Sequence, residues 1–180
     1  MPSLIISQVR GDEPLLDGLD AITDAFVVCT ADSLPDRSNA AIISLLKDVR
    51  QLLQMDIAFV SEFVGDQRVI RTLESVSNEP HMPQVNQGTP LLQSFCQRII
   101  DGRLPRAIPD TSVLKESRDL AITKLVNIKA YLAAPIVLSD GRVYGTLCCI
   151  SHQVRSALGM RQVDALHKVA VLVATEIDKY

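Results

Sequence analysis

The 180-residue chain is 47% apolar and 22% charged, contains no tryptophan, and carries a net charge of −3. That length supports one compact domain whose core needs no staples. No apolar run approaches the roughly 18 residues that cross a bilayer, and no basic excess attracts nucleic acid, so a membrane-spanning chain, a disordered chain, a collagen and a typical DNA binder are excluded.

The opening MPSLIISQVRGDEP lacks a basic leader, a long apolar stretch and a small-residue cleavage site. No signal peptide is therefore expected, and the chain is assigned to the cytoplasm. Residues 1–35 read as an N-terminal arm punctuated by Pro2, Gly11, Pro14 and Pro35. Leu15, Leu16, Leu19, Ile22, Phe26 and Val27 recur at helical spacing within it and predict a short helix near 14–28. That helix either packs on the rest of the chain or makes a dimer contact. Residues 36–180 are expected to form a single domain.

Asp36 or Ser38 is placed to cap a helix over 37–54, where Ile42, Leu45, Leu46, Val49, Leu52 and Leu53 form a broad apolar face. The period then changes from helical to alternating. DIAFVSEFV (56–64) and RVIRTLESV (68–76), joined by GDQ, predict a hairpin. Residues 78–90 hold three prolines and one glycine and predict a loop. LLQSFCQRII (91–100) predicts a helix with Leu92, Phe95, Cys96 and Ile99 on one face and Gly102 as its stop. RLPRAIPD (103–110) is expected to be extended, because Pro105 and Pro109 push their predecessors out of the helical region. Residues 111–127 suggest a loop with a turn or two of helix.

AYLAAPIVL (130–138) and RVYGTLCCIS (142–151), joined across Ser139, Asp140 and Gly141, predict a second hairpin, with a bulge or an unpaired position at Pro135. A final helix over 158–180 carries Val163, Leu166, Ala170, Val173, Ile177 and Tyr180 at three-four spacing. This heptad-like stripe fits either a dimer helix or a face buried on the chain's own sheet. Two hairpins separated by helices indicate an α+β domain with an antiparallel sheet.

Alternation sorts Ile57, Phe59, Ser61 and Phe63 onto one face and Ala58, Val60, Glu62 and Val64 onto the other. In the last strand it sets Tyr144, Thr146, Cys148 and Ile150 against Val143, Gly145, Leu147 and Cys149. Both faces are apolar enough to need covering. The terminal helices are expected on one, approaching closely at Gly145. The 91–100 helix and long loops cover the other only partly, and a sheet roofed by loops often leaves a cavity.

Little here suggests catalysis. Cys29, Cys96, Cys148 and Cys149 form no CxxC pair and no zinc spacing, which reads as small core residues in a reducing compartment. No metal site and no cofactor are expected. His81, His152 and His167 are scattered over a loop, a strand end and a helix surface, with His152 read as a solvated turn or pocket-rim residue. Ser139, Asp140 and Gly141 are turn chemistry rather than a Ser-His-Asp triad. There is no Gly-rich phosphate loop. Asp110 is either a turn cap or a pocket residue, and Arg98, Arg103 and Arg106 either meet an anion or form a solvated helix end.

Residues 55–180 resemble a GAF domain, a cytoplasmic small-molecule-sensing module. The resemblance lies in MDIAFVSEF, SFCQRIIDGRLPRAIPD, IKAYLAAPIVLSDGRVYGTLCCIS and the closing helix. Its most specific stretch is similar to bacterial GAF domains attached to cyclic-di-GMP enzymes or histidine kinases. The resemblance implies a central antiparallel sheet of about five to six strands, with terminal helices on one face and a helix- and loop-roofed pocket on the other. It implies a pocket at Phe59, Ser61, Phe95, Ile108, Pro109, Asp110, Tyr131, Ala133, Thr146 and Cys148. Signals would pass through a dimer of the helix bearing Val163, Leu166, Ala170, Val173 and Ile177.

Subfamily signatures narrow this. The Asn-Lys…Phe…Asp-Glu pattern of cyclic-nucleotide-binding members is missing, because Ile128 follows Asn127 and no Phe comes after it. Ser61, Tyr131, Ala133 and Cys148 fall where phytochrome-type pocket residues lie, but 111–127 contains neither Cys nor His for a covalent bilin. Free-methionine sulfoxide reductases need roof cysteines, and none lies between Pro105 and Ala130. The expectation is a non-catalytic sensor of an unknown small molecule that acts as a homodimer on an output domain or partner, such as a diguanylate cyclase, a phosphodiesterase or a histidine kinase. The alternatives are an enzyme of the sulfoxide-reductase kind and a structural dimerisation module without ligand.

Overall fold

The computed structural model describes residues 13–30 and 35–180. The expected cap at Asp36 or Ser38 and the side chain of Cys29 lie outside what it describes, as do Pro2 and Gly11.

Helix α1 spans Glu13–Thr30 and α2 spans Pro35–Leu52. Proline suits the first position of α2, where its missing N–H has no intrahelical partner to lose. Leu19 and Phe26 of α1 are buried, as are Ile42, Leu45, Leu46 and Val49 of α2, so the arm's helix is built into the main core.

Strands β1 (Ile57–Val64) and β2 (Gln67–Ser75) pair from Val64 and Gln67 onward, leaving a two-residue turn with Gly65 at φ 59°. The segment read as all loop ends in an edge strand, β3 (Gly88–Pro90), whose Pro90 closes the pairing with Gln67. The helix expected over 91–100 is split. A 3-10 turn, Leu91–Gln93, is followed by Ser94, which caps α3 (Phe95–Ile100) by accepting from the Gln97 N–H. Leu92 therefore points to solvent at 77% exposure instead of joining Phe95, Cys96 and Ile99. Gly102, at φ 75°, ends the helix as expected.

Edge strand β4 (Ala107–Ile108) pairs with β5 (Ala130–Val137), with the one-turn helices α4 (Lys115–Arg118) and α5 (Ala121–Leu125) between them. Strand β6 (Val143–Ser151) and helix α6 (Met160–Ile177) complete the chain. The six strands are antiparallel in the order β3-β2-β1-β6-β5-β4. Pro135 sits on β5 past the end of β4. Ala133 N–H reaches the Arg106 carbonyl at 2.9 Å, so residue 135, two positions on, turns the same way where no strand stands.

Alternation sorts the two faces with one exception. Ala58, Val60, Leu147 and Cys149 pack under α1, α2 and α6. Ile57, Phe59, Cys148 and Ile150 pack under the short elements. Tyr144 is the extra residue of a bulge opposite Ile136 and Val137, so it turns to the helix side instead of following Thr146. Gly145 does not admit a helix. A Cβ there would stand 1.8 Å from the Ser61 carbonyl oxygen, so its smallness serves the β1–β6 pairing.

The stripe on α6 is spent on this sheet. Leu166 and Val173 are 0% exposed, with Val163 and Ala170 buried and Ile177 packed beside them. These side chains are unavailable to a partner helix, and the three-four spacing is explained by burial within the chain. His167 is on the exposed side of α6, as expected. No described helix is long and apolar enough to cross a membrane.

Candidate functional site

The face away from the long helices is covered by α3 and residues 101–129, beside edge strand β3. This cover has little regular backbone, so side-chain hydroxyls satisfy its carbonyls. Thr111 Oγ1 donates to the Ile128 carbonyl at 2.7 Å, Ser117 Oγ to the Thr111 carbonyl at 2.8 Å, and Thr123 Oγ1 to the Ser117 carbonyl at 2.5 Å. Buried polar groups need such partners, and here they make a knitted roof.

Between roof and sheet lies a cavity of about 30 Å³, bounded by Phe59, Arg68, Thr89, Ser94, Phe95, Ile128, Tyr131 and Ile150. Phe95 stacks on Tyr131 with ring centroids 4.4 Å apart. Of the ten residues expected at the pocket, Phe59, Phe95 and Tyr131 line this space. Ser61, Ala133, Thr146 and Cys148 are wholly enclosed beside it. Ile108 is in the same core cluster on edge strand β4, and half-buried Pro109 accepts the Arg155 N–H at 2.9 Å through its carbonyl.

Asp110 does not face the cavity. Its Oδ1 accepts from Ser112 Oγ at 2.6 Å and from Ser112 N–H at 2.9 Å, in an open groove with Arg118 and Lys129. Those two bonds hold its carboxyl below the usual range. It is the turn cap of the two roles proposed. The arginine cluster is likewise structural or solvated. Arg98 donates to Glu116 at 3.1 Å and to the Leu92 carbonyl at 2.7 Å, Arg103 pairs with Asp101, and Arg106 is exposed.

A sulfur and hydroxyl cluster fills the floor. Thr146 Oγ1 donates to Cys96 Sγ at 3.0 Å and accepts from the Cys148 thiol at 3.2 Å. Ser61 Oγ is 2.8 Å from the same hydroxyl, Tyr131 Oη is 3.6 Å from Cys96 Sγ, and the two sulfurs are 3.8 Å apart. Two enclosed thiols this close do not both ionise. The Cys148 thiol lowers Cys96 most, helped by Arg68, Thr146 and Tyr131 against the effect of burial. Burial holds Cys148 protonated, and burial likewise pushes the Tyr131 phenol up. Cys149 faces the helices, and burial pushes its thiol up to about 12.

The sequence reading missed one contributor, Arg68, and left His152 between a solvated turn and a pocket rim. Arg68 is the cation at the cavity, and its alternation with the buried Ile70 was the available signal. His152 is half-buried and bonded at both ring nitrogens. Its Nδ1 is 2.9 Å from the Asn127 carbonyl and its Nε2 is 2.5 Å from Ser77 Oγ, while its N–H donates to Asp56 at 2.8 Å. The carbonyl requires the proton on Nδ1, so Nε2 accepts from the serine. His152 thus ties the end of β6 to the start of the β2–β3 loop and to the end of the roof. Among the described residues, no three His, Cys, Asp or Glu side chains are grouped to hold a metal ion.

A family model described as GAF domain matches residues 39–177. No curated protein matches the chain. Among solved structures, the GAF domain of a phosphoenolpyruvate-protein phosphotransferase from Coxiella burnetii superposes with a TM-score of 0.71 at 14% identity, over 94% of this chain and 96% of that one. A free methionine-R-sulfoxide reductase from Neisseria meningitidis, solved with its substrate, gives 0.70 at 14% identity, over 99% and 96%. A phycocyanobilin-bound GAF domain from a cyanobacterial phytochrome gives 0.68 at 14% identity, over 97% and 96%. Identities this low speak for the shared fold alone.

Proposed function

The chain belongs to the GAF domain family, and from that premise we propose that it is a non-catalytic, ligand-binding regulatory module whose site is the roofed face of its sheet. One observation carries this reading: the two faces of one sheet are covered in opposite ways. Long helices seal one face with aliphatic side chains. Short elements roof the other and bound a cavity with an aromatic pair and a buried cation. Ligand sites combine mostly apolar walls with a few placed polar groups in this way.

At about 30 Å³ the cavity holds little more than a water molecule, whereas ligand sites usually offer about 300 Å³ or more. Binding is therefore coupled to displacement of the roof, and a ligand that prefers the open roof shifts the population toward it. Strands β5 and β6 underlie both the roof and α6, which makes them the route to the terminal helices. Action in the cytoplasm of a bacterial cell, on an output domain or partner and through a homodimer, belongs to the same proposal. The dimer contact is then sought among exposed Val27, Val28, Ile43 and Val171 rather than along the buried α6 stripe.

Methyl-detected NMR of the full chain during titration with a set of small charged and neutral organic molecules tests this reading. Shifts at Val126, Ile128 and Ile150 are expected, with Leu166 and Val169 moving less. If no molecule moves the first group, the reading is overturned.

A second reading, reduction of free methionine sulfoxide, is favoured by the 3.8 Å approach of Cys96 and Cys148. Both sulfurs are wholly enclosed, which opposes access by substrate. No turnover is expected with a dithiol donor. Turnover that disappears in both Cys96→Ser and Cys148→Ser replaces the sensor reading with the enzymatic one.

A further inference from the structure

Among the described residues the fold buries two arginines. Arg50, on the helix side, is ion-paired with Glu74 and donates to the Met55 carbonyl. Arg68, at the cavity, is 8% exposed and pairs with no carboxylate among the described residues. Its guanidinium lies 5.4 Å from the centroid of the Phe59 ring, and Nη2 donates to Thr89 Oγ1 at 3.1 Å. Its Nε is enclosed and meets no acceptor. Arg68 bears on the Cys96 thiol, but an enclosed guanidinium N–H that meets no acceptor is costly until one joins it.

We propose that the cavity binds a small organic monoanion, its carboxylate on the Nε–Nη2 edge of Arg68 and its apolar part against Phe59, Phe95 and Tyr131. The inference rests on the reading of the roofed cavity as a ligand site and assigns that ligand a chemical class. A guanidinium edge matches the two oxygens of a carboxylate. Thr89 accepts from Nη2 and so keeps its own hydroxyl proton for the same carboxylate. No lysine, histidine or second arginine lines the space, so a second negative charge on the ligand finds no cation. The other walls, Ile122, Val126, Ile128 and Ile150 among them, suit a short hydrocarbon.

Calorimetric titration of the full chain with butyrate, isovalerate, butyramide and inorganic phosphate tests the assignment. Butyrate and isovalerate are expected to bind at least about tenfold more tightly than butyramide, which has the same shape without the charge. Arg68→Gln is expected to weaken the carboxylates about tenfold or more and leave butyramide unchanged. Arg68→Lys keeps the charge without the planar edge and should fall between, and Thr89→Val should weaken them less than Arg68→Gln. Equal binding of butyrate and butyramide, with shifts at Ile128 and Ile150, overturns the anion assignment and leaves the cavity reading standing. Tighter, Arg68-dependent binding of phosphate also overturns the monocarboxylate. If none of the four binds, the monoanion assignment falls, and the wider NMR series decides the cavity reading separately.

Discussion

The carbonyl oxygen of Ser61 stands 1.8 Å from the point a Cβ on residue 145 would occupy, so β1 and β6 pair here only because that residue is Gly145. The contact adjoins the Ser61–Thr146 pair, whose hydroxyls are 2.8 Å apart in the floor of the candidate site. Strand spacing and site geometry are thus set by the same few atoms.

Gly145→Ala is expected to cost about 2–3 kcal/mol, because backbone rather than a flexible side chain must move. Gly102→Ala has open space around it and is strained only by its φ of 75°, so about 1 kcal/mol is expected. Urea unfolding of the two variants checks the order.

Cys149 gives the fold an alkaline limit. Its thiol rises from 9.0 to about 12 on burial, so the unfolded chain releases that proton first. Its contribution to stability is complete below about pH 9 and is lost as pH rises toward 12. Urea midpoints at about pH 8 and about pH 10 should fall, and Cys149→Ala should reduce the fall. An unchanged slope in that variant contradicts the assignment.

The thiol pair makes an ordered prediction. Thiolate absorbance in the ultraviolet should show Cys96 titrating below the ordinary thiol range. Cys148→Ala should return it upward most, and Arg68→Gln by less. Reversal of that order contradicts the hydrogen-bonded pair as the dominant cause.

Expectation and structure diverge where a contact depends on distant residues. The hairpins, the α6 stripe and the sorting of Cys148 from Cys149 follow from periods of two and three to four, and the residues carry those periods openly. Tyr144 was misplaced because one extra residue in a bulge reverses a face. Leu92 was misplaced because Ser94 interrupts one helical period with a cap. In the site, Phe59, Phe95 and Tyr131 were legible as large residues on the roofed face. Arg68 was not, because a charge in a strand reads as solvent-facing until the roof that covers it is seen.

His152→Ala should cost about 1–2 kcal/mol by leaving the Asn127 carbonyl without its ring donor. The loss should be local. Amide hydrogen exchange is expected to quicken in residues 76–87 and 126–129 and to stay unchanged in α6. Uniform quickening contradicts a local tie.

A crystal structure of the full chain with the tightest-binding molecule of the NMR series decides whether the roofed cavity is the ligand site. The molecule is expected beside Arg68, between Phe59 and Tyr131, with the roof from α3 to residue 129 displaced outward. The same molecule in the open groove of Asp110 and Lys129, with the cavity beside Arg68 unchanged, would contradict it.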